Sequence, residues 1–160
     1  MGAPASSSYN GLWFDRENSR LEFYYRGVKI GHFTTGFNLT ASTGTGLGYA
    51  TGAGGAITQT VSRSTGVTLN TLTGTITGDG TSLAAETIAT FTVTNSTVAL
   101  RDTVILSVVS GPTGAATHFH VSRVAAGAFD ITASNDVAAG GIADTGAPII
   151  NFAVIKAVNA

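Results

Sequence analysis

Threonine occupies positions 71, 73, 75 and 77, with Leu72, Gly74 and Ile76 between them. A helix would scatter these threonines around its circumference, whereas an extended chain places all four on one face. The same two-residue period recurs where Ala89, Phe91 and Val93 alternate with Thr90, Thr92 and Thr94, and where Phe129, Ile131 and Ala133 alternate with Asp130, Thr132 and Ser134. Threonine suits the exposed side of such strands because its β-branch favours the extended backbone and its hydroxyl hydrates without charge. The run from Ile149 to Val158 is mostly apolar on both faces, the pattern of a central or interface-covered strand. Turn formers cluster between these segments, at Gly78-Asp79-Gly80, Asn95-Ser96, Ser110-Gly111-Pro112 and from Asn135 to Pro148. No segment has the period of an amphipathic helix; Leu83 to Thr87 has room for one turn. The pattern predicts an all-β chain whose larger part, residues 57–160, is an antiparallel β-sandwich or jelly-roll-like domain. The lack of a strict internal repeat speaks against a solenoid or propeller.

A different composition precedes that domain. Nine of the thirteen aromatic residues lie before position 50. Leu12 to Arg16, Leu21 to Arg26 and Val28 to Phe33 read as three short strands with turns at Glu17-Asn18-Ser19 and Gly27, so residues 1–41 are expected to form an N-terminal arm and a small β-meander. Leu21, Phe23 and Tyr25 fall on one side of the middle strand, opposite Arg20, Glu22, Tyr24 and Arg26. A sheet this small is marginal alone, so its aromatics mark a docking face. Trp13, Phe14, Phe23, Tyr25 and Phe33 are the candidate partner-interface residues, since aromatic anchors dominate interface energetics. Between the two parts, residues 42–56 hold six glycines and read as a linker.

Charge limits the function. Only 11% of the residues are charged, and 8 basic residues face 9 acidic ones for a net charge of -1. A small domain usually stays soluble as a monomer with a net charge of magnitude about 2 to 8. The deficit points to a surface covered by partners, most simply in a closed homo-oligomer. The balance also disfavours nucleic acid, whose binding rests on many cationic contacts to phosphate. No stretch approaches the ~18 apolar residues of a membrane helix, and the first residues lack the features of an export signal, so synthesis in the cytoplasm with no membrane partner is expected. Without cysteine there is no disulfide, thiol nucleophile or thiolate metal site.

The chain offers little for catalysis. His118 and His120, two apart on a strand, point to the same side, and Asp130 would complete a metal set if the next strand aligned it; without convergent ligands the pair is surface chemistry, and no metal or cofactor is expected. The nucleophile elbow Gly-x-Ser-x-Gly is absent. Glu86, Asp102, Asp130, Asp136 and Asp144 show no spacing that sets two carboxylates across a cleft. Gly44, Gly46 and Gly48 lack the third glycine and the strand-to-helix setting of a dinucleotide loop. Asn38-Leu39-Thr40 and Asn95-Ser96-Thr97 match the glycosylation triplet, which has no meaning in a chain that is not exported. The expectation is a protein without enzymatic activity.

The segments ITQTVSRSTGVTLN (57–70), ATFTVTN (89–95), AFDIT (128–132) and IINFAVIK (149–156) resemble a β-domain common in virion proteins of tailed phages and prophages, over about two thirds of the chain. LWFD (12–15) and LEFYY (21–25) are similar to short segments that precede the domain in such proteins. The resemblance implies a virion structural protein. A tail fibre or spike usually needs an attachment module, a long trimeric shaft and a receptor-binding tip, and 160 residues leave space for little of that, so the type it is most like is a head decoration, or cement, protein. On this reading a homotrimer sits on the phage head and bridges copies of the major capsid protein. The alternative is a tail fibre or spike component that binds a host receptor or glycan through loops around Gly111 to Thr117 or Asn135 to Gly146.

Overall fold

The computed structural model describes residues 10–34, 39–41, 48–49, 52–113 and 117–157. Among them are twelve strands and no helix. The chain divides into two compact units, residues 1–48 and 49–160.

The first unit is a four-stranded antiparallel meander of β1 (Gly11–Asp15), β2 (Arg20–Tyr25), β3 (Val28–Thr34) and β4 (Leu39–Ala41) in sequential order. Alternating side chains and tight turns set the first three strands within a residue or two of their expected limits. The fourth adds a short edge.

The second unit contains two four-stranded sheets. One has the order β10-β11-β8-β6, from β10 (Thr117–Ala125), β11 (Ala128–Asn135), β8 (Thr87–Thr94) and β6 (Val67–Thr68). The other has the order β5-β7-β12-β9, from β5 (Gly54–Thr58), β7 (Thr73–Thr77), β12 (Ile149–Ile155) and β9 (Thr103–Ser110). A single apolar core joins them, giving a sandwich-like arrangement: Phe91, Val93, Phe129 and Ile131 of the first sheet cluster with Ile76, Ile150, Phe152 and Val154 of the second. The Phe129 and Phe152 rings lie 5.3 Å apart at its centre. Each such side chain removed from water contributes roughly 1.5 to 3 kcal/mol, so the core is the main source of this unit's stability. As expected of a strand apolar on both faces, β12 is central, between β7 and β9.

Two expectations need correction. The pairing is not wholly antiparallel: β5 runs parallel to β7, and β6 parallel to β8. From β5 to β8 the chain changes sheet at every strand, so β5 and β7 become parallel neighbours in one sheet and β6 and β8 in the other. The stretch 42–56 is also not all linker, because β5 begins at Gly54. A Cβ at Gly55 would come within 2.8 Å of the Leu69 side chain, and one at Gly74 within 2.7 Å. These glycines serve packing, leaving space for Leu69 beneath a flat pair of strands. Positions 42–47, 50 and 51 lie outside the described residues.

The chain enters the second unit and leaves it at the same end of the sandwich, where Asp102 accepts hydrogen bonds from Lys156 Nζ and from the Ala157 amide, the latter at 3.1 Å. At the opposite, distal end lie the loops 59–66, 78–86 and 136–148 and the described parts of 111–116.

Candidate interaction surfaces

The first hairpin sorts the side chains of the N-terminal sheet onto two faces. Trp13 stands opposite Glu22, Phe14 opposite Leu21 and Asp15 opposite Arg20. Across β2 and β3, Leu21 pairs with Phe33, Glu22 with His32, Tyr24 with Lys29 and Tyr25 with Val28. Since side chains alternate along each strand, Trp13, Asp15, Arg20, Glu22, Tyr24 and Lys29 share one face, and Phe14, Leu21, Phe23, Tyr25, Val28 and Phe33 share the other.

The polar face is the covered one. Glu22 is 1% exposed. Its Oε1 accepts from Arg20 Nε at 2.6 Å and Lys29 Nζ at 3.3 Å, and its Oε2 accepts from the Tyr24 hydroxyl at 2.7 Å. Burial opposes ionisation of Glu22, but the donors Tyr24, Lys29 and Arg20 outweigh it and hold the carboxyl below its ordinary pKa. The bond to Glu22, reinforced by burial, pushes the Tyr24 phenol up to about 12. Arg20 Nε also lies 3.1 Å from Asp15 Oδ2. Asp15 closes the turn by accepting from Asn18 Nδ2 at 2.7 Å and from the Glu17 and Asn18 amides at 3.2 and 3.3 Å.

On the apolar face Phe23 and Phe33 meet edge-to-face, with centroids 5.1 Å apart. Phe14, Tyr25 and Val28 remain 57%, 55% and 64% exposed, and Ile30, the extra residue of the bulge that follows the Phe23 pair, is 58% exposed. The structure therefore divides the five aromatic candidates: Phe14, Phe23, Tyr25 and Phe33 share the open face, while Trp13 stands across from Glu22 on the covered one. The two-residue period marked the two faces but gave no sign that the charged one is covered. Three donors converging on one carboxylate make that burial tolerable, and the hydrocarbon stems of Arg20 and Lys29 help to cover it.

At the distal end of the sandwich the two loops singled out by the sequence are brought together. The Thr113 amide and hydroxyl each donate to Asp144 Oδ1 at 2.9 Å, and the Thr145 amide donates to Thr113 Oγ1 at 2.9 Å. Contact is so close that a Cβ on Gly146 would fall 1.5 Å from the Gly111 carbonyl oxygen. Arg63 reaches in from the loop after β5. Its Nη2 donates to the carbonyls of Asp144 (3.1 Å) and Gly146 (2.9 Å), its Nε donates to the Thr81 carbonyl, and its Nη1 lies 3.5 Å from Asp144 Oδ2. Asp144 is fully buried. Burial opposes its ionisation, yet the Thr113 and Gly146 amides and the Thr113 hydroxyl hold its pKa below the ordinary value. Arg63 was not among the candidate residues. Its signal was its isolation, as the single Asp, Glu, Lys or Arg between Lys29 and Asp79. A charge in such a stretch is a candidate for a buried role beside a counter-charge.

The histidine set does not converge. The register places His118 opposite Ser134 and His120 opposite Thr132, while Asp130 aligns with Arg123 and pairs with its Nε at 2.6 Å. Among the described residues no three His, Cys, Asp or Glu side chains are grouped to hold a metal ion, and no helix is long and apolar enough to cross a membrane. Asn95, in one glycosylation triplet, is fully buried and donates from Nδ2 to the Thr71 carbonyl at 2.7 Å; Asn38, in the other, lies outside the described residues.

No protein-family model matches the chain, and no curated protein or solved structure matches it.

Proposed function

We propose that the chain is a non-enzymatic structural protein of a tailed-phage virion, a decoration or cement protein on the head surface that acts as a homotrimer bridging copies of the major capsid protein. The observation that carries this reading is the N-terminal sheet: an open apolar face, with Phe14, Tyr25 and Val28 more than half exposed, backed by a covered ionic network around Glu22. An exposed apolar patch on a hydrogen-bonded sheet is the surface a protein partner covers. Three such faces on one trimer would act at high effective concentration, so that weak single contacts add up to firm attachment against the pressure of packaged DNA. In this reading the sandwich of the second unit, of jelly-roll-like kind, forms the trimeric body. The protein then belongs to the outside of the phage head, assembled there after synthesis in the host cytoplasm.

A second reading, a tail fibre or spike component that binds a host receptor or glycan, is supported by the convergence of the loops at Thr113 and Asp144 on the distal end of the sandwich.

Purified protein added to capsids assembled without it separates the two. Regular occupancy of lattice positions, seen by electron microscopy, is the expected result. Failure to bind capsids together with binding to host cells would move the second reading to first place.

A further inference from the structure

The two sheets of the sandwich differ in charge. The strands β10, β11, β8 and β6 carry His118, His120, Arg123 and Asp130. The strands β5, β7, β12 and β9 read GGAIT, TGTIT, IINFAVI and TVILSVVS, without an Asp, Glu, Lys, Arg or His among them. The register lines up Ala56, Thr75, Asn151 and Ser107 across the outer side of this sheet. That face is uneven. At one side Ile105 and Ile155 stand 50% and 53% exposed. At the other, a shallow hollow of about 410 Å³ is floored by Gly54, Gly55 and Gly74 and rimmed by Thr75 and Asn151.

We propose that the outer face of the β5-β7-β12-β9 sheet is the contact between copies of this chain, with the Ile105 and Ile155 side of one copy seated on the glycine-floored hollow of the next. The proposal rests on the reading of the chain as a homo-oligomer and adds the face through which it associates. Three features favour a second copy as the occupant. A face without ionisable groups is matched at least desolvation cost by another such face, and every further copy supplies one of the same dimensions. Knob and hollow lie on opposite sides of one surface, so copies arranged around a three-fold axis each seat the knob on the hollow of the next and close without any other partner. The edge strand β9 carries no Lys, Glu or Pro to protect its eight residues from pairing; its one edge-blunting device is the register shift at its last residues. The β10 strand of the other sheet comes close to β9 without forming a ladder with it, and an apolar edge left unpaired over that length needs a further cover. Four strands of five to eight residues make a flat footprint of about 400 Å², which the relief of the side chains and the β9 edge extend toward the ~800 Å² per partner of a stable interface.

Light scattering of the full chain tests this. The wild type is expected to be an oligomer, and Thr75→Arg, which places a cation in the middle of the face, to reduce it to a monomer with an unchanged far-ultraviolet circular dichroism spectrum. Thr92→Arg on the charged sheet is expected to leave the mass unchanged. A wild type that is monomeric throughout a concentration series, or a Thr75→Arg protein that stays folded at the wild-type mass, overturns the proposal. Should Thr75→Arg fail to fold, hydrogen exchange of the wild type decides: β9 amides protected at high concentration and exposed on dilution support the interface, and β9 amides insensitive to dilution overturn it. Capsid binding is scored separately. An oligomer that Thr75→Arg leaves intact but that decorates capsids defeats this interface alone; an oligomer that the substitution breaks but that ignores capsids defeats the virion reading alone.

Discussion

Glu22 and Asp144 are both carboxylates withdrawn from water, and each is kept ionised by donors arranged around it. For Glu22 the donors are side chains of its own sheet, so the cost of losing one is local. Tyr24→Phe removes the hydroxyl that donates to Oε2 and is expected to cost the N-terminal sheet roughly 1 to 2 kcal/mol, read from the hydrogen exchange of β1 to β3. The Tyr24 phenol is raised from 10.0 to about 12, so its contribution is complete below pH 10 and is lost as pH rises through about 12. A late phase in the ultraviolet titration of the tyrosines, absent from Tyr24→Phe, would verify this. For Asp144 the shift is downward, so its contribution is present above the ordinary value of 3.8 and is lost as pH falls through its lower folded value. Asp144→Asn leaves the Arg63 guanidinium buried without its counter-charge and is expected to cost about 3 kcal/mol in denaturant unfolding. In the same variant the loss of stability below pH 4 should flatten.

Glycine does two jobs among these elements. At Gly55 and Gly74 it thins the sheet so that Leu69 fits beneath it; an added Cβ at Gly55 would meet only the tip of that flexible side chain, while one at Gly74 would also meet the Gly55 carbonyl oxygen at 2.8 Å. At Gly146 the obstacle is the Gly111 carbonyl oxygen, and Gly111 has a φ of +109°, so backbone would have to move. Gly146→Ala is therefore expected to cost roughly 2 to 3 kcal/mol and to lower Tm more than Gly55→Ala does. Comparing the two thermal melts tests whether the distal loops are clamped to the sandwich. The same reasoning explains why β5 was hidden in the sequence. A glycine-rich stretch reads as linker when its neighbours are unknown, and as strand once Leu69 fills the space.

For the whole molecule the proposed roles divide by face. In the proposed arrangement the open face of the N-terminal sheet would meet the capsid, and the uncharged face of the sandwich would meet other copies. Phe14→Ser combined with Tyr25→Ser alters two side chains that are more than half exposed. The pair is expected to weaken each capsid contact roughly 30-fold, as loss of two anchors at about 1 kcal/mol each would do, with Tm unchanged. Trp13→Ser should do the reverse, lowering the stability of the sheet, because Trp13 stands across from Glu22 on the covered face. Measuring capsid occupancy and Tm for both variants tests the division.

Period-two alternation with turn residues between was enough for the all-β class and for strands such as β7, β8 and β11, because extended geometry ties side-chain direction to sequence parity with no need of distant contacts, and β12 was legible as a mostly apolar run. The same parity separates Trp13 from Phe14. It does not say which face is buried, and there the tertiary structure decided: three donors gather on Glu22, and the charged face becomes the covered one. Parity is equally silent on which strands pair. The parallel β5–β7 and β6–β8 pairs follow from a chain that changes sheet at each strand, and the meeting of Arg63 with Asp144 across 81 residues follows from loops that converge only when both sheets have closed on one core. Local chemistry sets what a strand is; long-range packing sets what it stands beside.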